Sequence, residues 1–290
     1  MFNGIDVSVH NGYVDFAKVA GAGYDFVMIR DGYGDLLSYP SQKDSRFEEN
    51  YTRAVLADRH VGAYHYLYAT DAAGARREAE GFLKSLEGKR FDMPIALDIE
   101  ESRQYNLTNA AVESIVKAFM DVCENAGYYC VLYSYQAFLT AKMSAAFRAN
   151  YDIWIANTTG YAPSITYGIW QYSFTGSVPG CSEAVDLNRT ERDYPKLIKS
   201  GGFNGYAKTP TEELDKRENA WYYYGMEKTP EGMHGLYGVK QRMKAKGYTY
   251  LDDSGGFGAG TEKAVNDLLD EWGYQQNGVI GKNFVKKIME

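Results

Sequence analysis

Through residues 1–198, eight short runs of β-branched and aromatic residues recur, mostly bounded by Gly, Asp or Asn. They fall at residues 5–9, 26–30, 61–68, 94–100, 130–135, 152–157, 168–173 and 185–188. Runs of this length and composition read as strands. Helical patterns lie between several of them. Residues 46–59 space Phe47, Tyr51 and Val55 at helical intervals, and residues 71–86 form a clearer helix. Residues 108–125 carry the stripe Val112, Ile115, Val116, Phe119 and Val122, with Gly127 as the stop. Strands alternating with helices imply an α/β fold with a mainly parallel sheet. About eight strands in about 190 residues predict a β/α barrel smaller than an ordinary eightfold one. Several intervals are too short for a full helix, so the barrel is expected to be irregular.

A break follows. Ser200-Gly201-Gly202-Phe203-Asn204-Gly205 is Gly-rich, and Thr209 to Arg217 is polar and charged, so residues 199–218 read as a linker between a first domain (1–198) and a second (219–290). The run Trp221-Tyr222-Tyr223-Tyr224 is a sugar platform or a docking patch. Val239, Met243 and Ala245 mark a helix ended by Gly247. Residues 261–272 mark a second, with Thr261 as N-cap and Ala264, Val265, Leu268 and Leu269 inward, and residues 283–289 mark a third. The second domain is therefore expected to be a small three-helix unit with a marginal core.

Charge narrows the function classes. The net charge is −7, and residues 201–290 hold 12 Lys+Arg and 13 Asp+Glu, so the first domain carries nearly all of the excess. A nucleic-acid binder shows a basic balance or stripe, and none is visible. No apolar run reaches the roughly 18 residues that span a bilayer. Cys123, Cys130 and Cys181 are odd in number and form no C-x-x-C, which points to neither a disulfide framework nor a thiolate zinc site. Residues 1–6 lack a basic n-region and an apolar h-region, so the chain is expected to be made in a cytoplasm without a secretory signal.

The sharpest chemical feature is Pro94-Ile95-Ala96-Leu97-Asp98-Ile99-Glu100. Side chains alternate across a strand, so Asp98 and Glu100 share a side while Ile99 points away. Their Cα atoms should lie about 6.5–7 Å apart. The carboxyl ends of barrel strands are where β/α barrels place active sites. Two carboxylates there repel one another, which raises one pKa and leaves a proton donor beside an ionised partner. Glycosidic cleavage needs such a pair. A helix cap or a salt-bridge pair gives the same motif. Asp6 in the first run and Asp186 in the last add two more carboxylates from strands that neighbour one another in a closed barrel.

Taken together, Gly4-Ile5-Asp6-Val7-Ser8, Phe26-Val27-Met28-Ile29-Arg30, Gly62-Ala63-Tyr64-His65-Tyr66, Pro94 to Glu100, Val131-Leu132-Tyr133-Ser134, Trp154-Ile155-Ala156, Ile169-Trp170-Gln171-Tyr172 and Val185-Asp186-Leu187-Asn188 resemble, in order and spacing, glycoside hydrolase family 25, the lysozymes of phages, bacteria and fungi. The resemblance implies an irregular, flattened β/α barrel and a muramidase that cuts between N-acetylmuramic acid and N-acetylglucosamine in peptidoglycan, of phage or prophage endolysin type. It implies Glu100 as general acid/base and Asp98 as the second essential carboxylate, acting as nucleophile or by orienting the substrate acetamide. Asp6 and Asp186 match the acidic residues flanking the groove. No cofactor or metal is implied.

Among aromatics, Tyr64, Tyr66, Tyr133 and Trp170 are candidate sugar contacts, with core packing an equal alternative for each. The C-terminal residues from Val239 to Gly281 resemble a small helical peptidoglycan-binding domain, with a dimerisation or packing module as the alternative. Whether the chain forms a homodimer stays open. Two other functional readings also stay open: a catalytically silent wall-binding protein, and a metal-dependent hydrolase using Asp6, Asp98 and His65, or His10.

Overall fold

The computed structural model describes residues 1–208, 235–251, 258–278, 280, 284, 287 and 288. The expected barrel is present. Its strands are β1 (Phe2–Val7), β2 (Phe26–Tyr33), β3 (His60–Tyr66), β4 (Ile95–Asp98), β5 (Cys130–Tyr135), β6 (Asp152–Ala156), β7 (Ile169–Gly176) and β8 (Val185–Thr190), and they close in sequence order. β1 through β7 pair in parallel, while β8 runs antiparallel to both β7 and β1. No helix intervenes between β6, β7 and β8, which accounts for the intervals too short to hold one.

Helices cover part of the outside. They are α1 (Phe16–Gly21), α2 (Phe47–Leu56), α3 (Ala72–Leu86), α4 (Ser102–Tyr105), α5 (Asn109–Asn125), α6 (Gln136–Lys142), α7 (Ala145–Arg148) and α8 (Tyr194–Gly201). The longer ones are capped by their own sequence: Asp71 accepts from the Gly74 N–H ahead of α3, and Thr108 from that of Ala111 ahead of α5. Gly127, at φ +86, turns the chain out of α5 as read from the sequence.

Period-2 alternation splits the strand residues into two packed sets. Ile5, Val7, Val27, Ile29, Ile95, Leu97 and Leu132 face outward and join Phe82, Val112, Ile115 and Phe119 of the helices. Phe26, Met28, Ala96, Val131, Trp154 and Ile169 fill the barrel. Gly62 on β3 is where the lumen is tightest: a Cβ there would meet Met28 Sδ at 2.4 Å and the Pro94 carbonyl oxygen at 2.5 Å. The backbone oxygen cannot give way. Gly62→Ala should therefore destabilise the fold by about 1–3 kcal/mol, measured by denaturant unfolding.

The floor of the barrel is closed by α8 together with residues that the sequence placed in a linker. Tyr194 and Ile198 of α8 pack into the lumen set, with Phe203 and Tyr206 against it. Asn204, fully buried at φ +54, accepts from the Tyr129 N–H at 2.7 Å and donates to the carbonyls of Phe91 and Met93 at 2.9 and 3.0 Å. Residues 199–206 thus pack as part of the barrel rather than leading away from it.

Beyond it, helices Gly235–Ala245 and Ala259–Glu271 share a core of Val239, Met243, Leu251, Ala264, Val265, Leu268, Leu269, Ile280, Phe284 and Ile288. Gly258, not Thr261, is the N-cap of the second helix; Thr261 is buried one turn in. The Trp221-Tyr222-Tyr223-Tyr224 run, residues 209–218 and most of residues 283–289 lie outside the described residues.

Candidate active site

Three strands, β1, β4 and β8, deliver four carboxyl groups to one end of the lumen. β1 and β8 pair in the register Asp6↔Asp186, which sets these two side by side. β4 ends at Asp98, one residue pair sooner than the sequence implied. Ile99 still donates its N–H to the Tyr133 carbonyl and buries outward, so Glu100 returns to the inner side beside Tyr135 and faces Asp186. The i, i+2 alternation that was read from sequence holds across the strand end.

Amides organise one half of this quartet. Asn188 Nδ2 donates to Asp6 Oδ2 at 2.7 Å. Gln171 Nε2 donates to Asp6 Oδ2 at 2.8 Å and to Asp186 Oδ2 at 3.0 Å. Both amides are themselves oriented: Trp154 Nε1 donates to Asn188 Oδ1 at 2.8 Å, and the Tyr133 hydroxyl to Gln171 Oε1 at 2.7 Å. An indole N–H can only donate, so the Asn188 orientation follows from chemistry. On the other half, Asp98 Oδ1 and Glu100 Oε2 are buried without a hydrogen-bond partner.

Burial pushes all four carboxyls up, and repulsion between them adds to this at Asp6, Asp98 and Glu100. For Asp98, burial acts first, then the charges of Glu100 and Asp6; Arg30 pulls the other way, and the net shift is well above the usual carboxylate range. Burial, then Asp186, raises Asp6 to about 8 against the pull of Asn188 and Gln171. Glu100 rises to about 7 through burial and then Asp186, with the Tyr135 hydroxyl opposing. Burial alone raises Asp186 to about 6. The cluster therefore holds protons at neutral pH, with Asp186 its most readily ionised member, which leaves Glu100 a proton donor beside a charged partner.

Against known proteins, the model described as Glycosyl hydrolases family 25 matches residues 5–181. The chain belongs to glycosyl hydrolase family 25. Its family 25 relatives include the autolytic lysozyme of Clostridium acetobutylicum, 32% identical over 187 residues, which are 64% of this chain and 54% of that protein. The chain thus spans about half the length of that relative. The crystal structure of the CTP1L endolysin is 26% identical with a TM-score of 0.60, covering 69% of this chain and 70% of that one. That of the bacterial lysozyme from Streptomyces coelicolor is 27% identical with a TM-score of 0.60, covering 71% and 98%.

Within this family 25 barrel, three of the four aromatic candidates reach the lumen side. Tyr133 packs on Trp154 with ring centroids 4.6 Å apart, and Tyr64 meets the same indole edge-on at 5.7 Å. Tyr66, half-buried, lines a cavity of about 440 Å³ with Val9, His10, Arg30, Tyr33 and Tyr68. Burial raises the Tyr66 hydroxyl, and so do the charges of Glu100 and Asp98, which ties the cavity to the acid quartet. Trp170 does not join. It belongs to the outer core, stacks under the Arg189 guanidinium at 4.1 Å and donates Nε1 to the Asn157 carbonyl. Its neighbour Gln171 is the inward residue.

His65 is also turned away. It is fully buried outside β3, with Nδ1 2.8 Å from Asp31 Oδ1 and Nε2 3.4 Å from Glu78 Oε2. A metal site built from Asp6, Asp98 and His65 is geometrically closed off, because the strand separates His65 from the acids. His10 lines the cavity but lies at the exposed rim.

Sequence reasoning missed Gln171, Asn188, Tyr135, Arg30 and Tyr33. Arg30 faces Asp98 while Asp44 holds its guanidinium at 2.9 Å. Tyr33 reaches the cavity because β2 slips register between Arg30 and Gly32, a bulge that reverses which side the next residues face. Gly32 is needed there, since a Cβ would meet the Gln42 carbonyl oxygen at 2.8 Å.

Proposed function

We propose that this chain is a muramidase of endolysin type that hydrolyses the β-1,4 bond between N-acetylmuramic acid and N-acetylglucosamine in peptidoglycan. The observation that carries the reading is the quartet at the mouth of the barrel, with Asp98 Oδ1 and Glu100 Oε2 buried and unpartnered. Buried polar atoms without partners are rare in folded proteins and mark places where a ligand completes the bonding. Membership in family 25 and similarity to lysozymes and an endolysin support it.

Glu100, with its proton held to about pH 7, protonates the leaving oxygen and then acts as base toward water. Asp98 lies beside it to stabilise positive charge at the anomeric carbon, directly or through the substrate acetamide. Asp186 supplies the negative charge facing Glu100, and Asp6 shares its amide donor. Tyr66 presents its hydroxyl and ring face to the sugars, Tyr64 and Tyr133 line the lumen behind the acids, and the cavity beside Tyr66 has the tyrosine-rich lining that suits a pyranose ring. The C-terminal unit serves as a wall anchor, since exposed Tyr250 and Tyr274 sit beside Lys263 and Lys287 on its surface. Anchoring would raise the local concentration of the barrel on an insoluble substrate.

The test is to digest purified peptidoglycan and identify the new reducing ends. Muramic acid ends are expected. Glucosamine ends, free amines, or binding without release would each sink the muramidase reading, the last in favour of a silent wall binder.

A further inference from the structure

The quartet shares its hydrogen-bond donors unevenly. Every side-chain amide hydrogen directed at it goes to Asp6 or Asp186, and two of these come from the single Nε2 of Gln171. Gln171 is 1% exposed, with its side chain on the inner side among the acids. Its amide cannot turn over without cost: Tyr133 donates to Oε1, and a reversed amide would aim that oxygen at two carboxyls. Resting on the muramidase reading above, we propose that Gln171 is a positioning residue, which holds Asp186 as a fixed negative charge facing Glu100 and thereby keeps the proton on Glu100 that the reaction transfers.

The other groups around Glu100 leave this role to Asp186. Asp6 on β1 faces Asp186 across the same amide. Arg30 on β2 is already ion-paired with Asp44. Tyr64 and Tyr66 on β3, and Tyr133 and Tyr135 on β5, all stay neutral, because burial raises each hydroxyl. Asp98 precedes Glu100 on β4, and Glu101 follows it with a smaller influence than Asp186. Gln171 is the amide donor given to Asp186 among the described residues.

The direction of its effect follows. Without the amide, the charged form of Asp186 loses a donor and Asp186 keeps its proton to higher pH. The negative charge opposite Glu100 is then absent over that range, so Glu100 gives up its proton at lower pH. The acid form of the enzyme disappears earlier on the alkaline side.

The experiment is the pH profile of kcat and kcat/KM for reducing-end release by the full chain, with Gln171→Met and Gln171→Leu beside wild type. The alkaline limb of kcat is expected to move down by about one pH unit, giving roughly a tenfold lower rate above both limbs, with a small change on the acidic plateau and in KM. A lower melting temperature with a profile parallel to wild type would assign Gln171 a merely structural role and overturn the proposal. If both variants fold poorly, Tyr133→Phe leaves Gln171 in place but frees its amide to turn. The limb should move the same way by less, and an unmoved limb overturns the proposal. Wild type is read in the same assay, so failure to release muramic acid ends there counts against the muramidase reading rather than against Gln171.

Discussion

Glu100→Gln should lower the rate of reducing-end release from peptidoglycan by at least about a hundredfold, the usual contribution of a positioned acid. Gln matches Glu in shape but has no transferable proton, and Glu100 is only partly exposed, so folding should be little affected. Asp98→Asn should be similarly damaging, since it removes the second carboxyl that meets the anomeric carbon or orients the substrate acetamide. In wild type, the alkaline decline should fall near pH 7, where burial and Asp186 set the Glu100 proton. Initial rates over a pH series, with melting temperature as the folding control, check all three. Full activity in Glu100→Gln would move the acid elsewhere and dissolve the site assignment while leaving family membership untouched.

The second large effect concerns stability. His65→Leu should cost about 3–5 kcal/mol, because it leaves Asp31 and Glu78 as buried charges without their counter-ion. The histidine ring lies between Phe82 and Phe119, with centroids 5.5 and 5.9 Å away, so water cannot take its place. Burial alone would lower its pKa, but Asp31 and then Glu78 outweigh that and raise it from 6.5 to about 9. A folded-state pKa above the unfolded one means stabilisation that is complete below pH 6.5 and is lost as pH rises through about 9. The gap in unfolding free energy between wild type and His65→Leu should therefore narrow across that interval. A gap that widened, or stayed flat from acid to alkaline pH, would mean that the imidazole is neutral in the fold.

The eight strands were legible because each is a short apolar run between turn residues, and the pair Asp98 and Glu100 because alternation alone puts them on one side. Which side an aromatic faces was much less legible. β7 is buried on both faces, so Ile169-Trp170-Gln171 carries no polar-apolar alternation to fix its orientation. Choosing Trp170 for its ring overlooked Gln171, whose polar side chain in an apolar strand was the available signal. Tyr33 could not be placed by counting from Phe26, Met28 and Arg30, because the register slip at Gly32 reverses the parity. His65 looked like a ligand because it sits between Tyr64 and Tyr66; that same alternation sends it outward. Phe203-Asn204-Gly205 read as a linker from its glycines, yet the three hydrogen bonds of Asn204 show that a left-handed turn can be a fastening.

That fastening fixes where the barrel can be separated from the rest. The family match ends at residue 181, before the chain has finished closing its own barrel. A version cut at residue 198 would remove Phe203 and Tyr206 from beneath the lumen core and strand the carbonyls of Phe91 and Met93. One cut after residue 208 would keep the base sealed. Exchange of C-terminal units between barrels of this kind should then respect a seam about ten residues later than sequence composition suggests, with the floor travelling as part of the barrel.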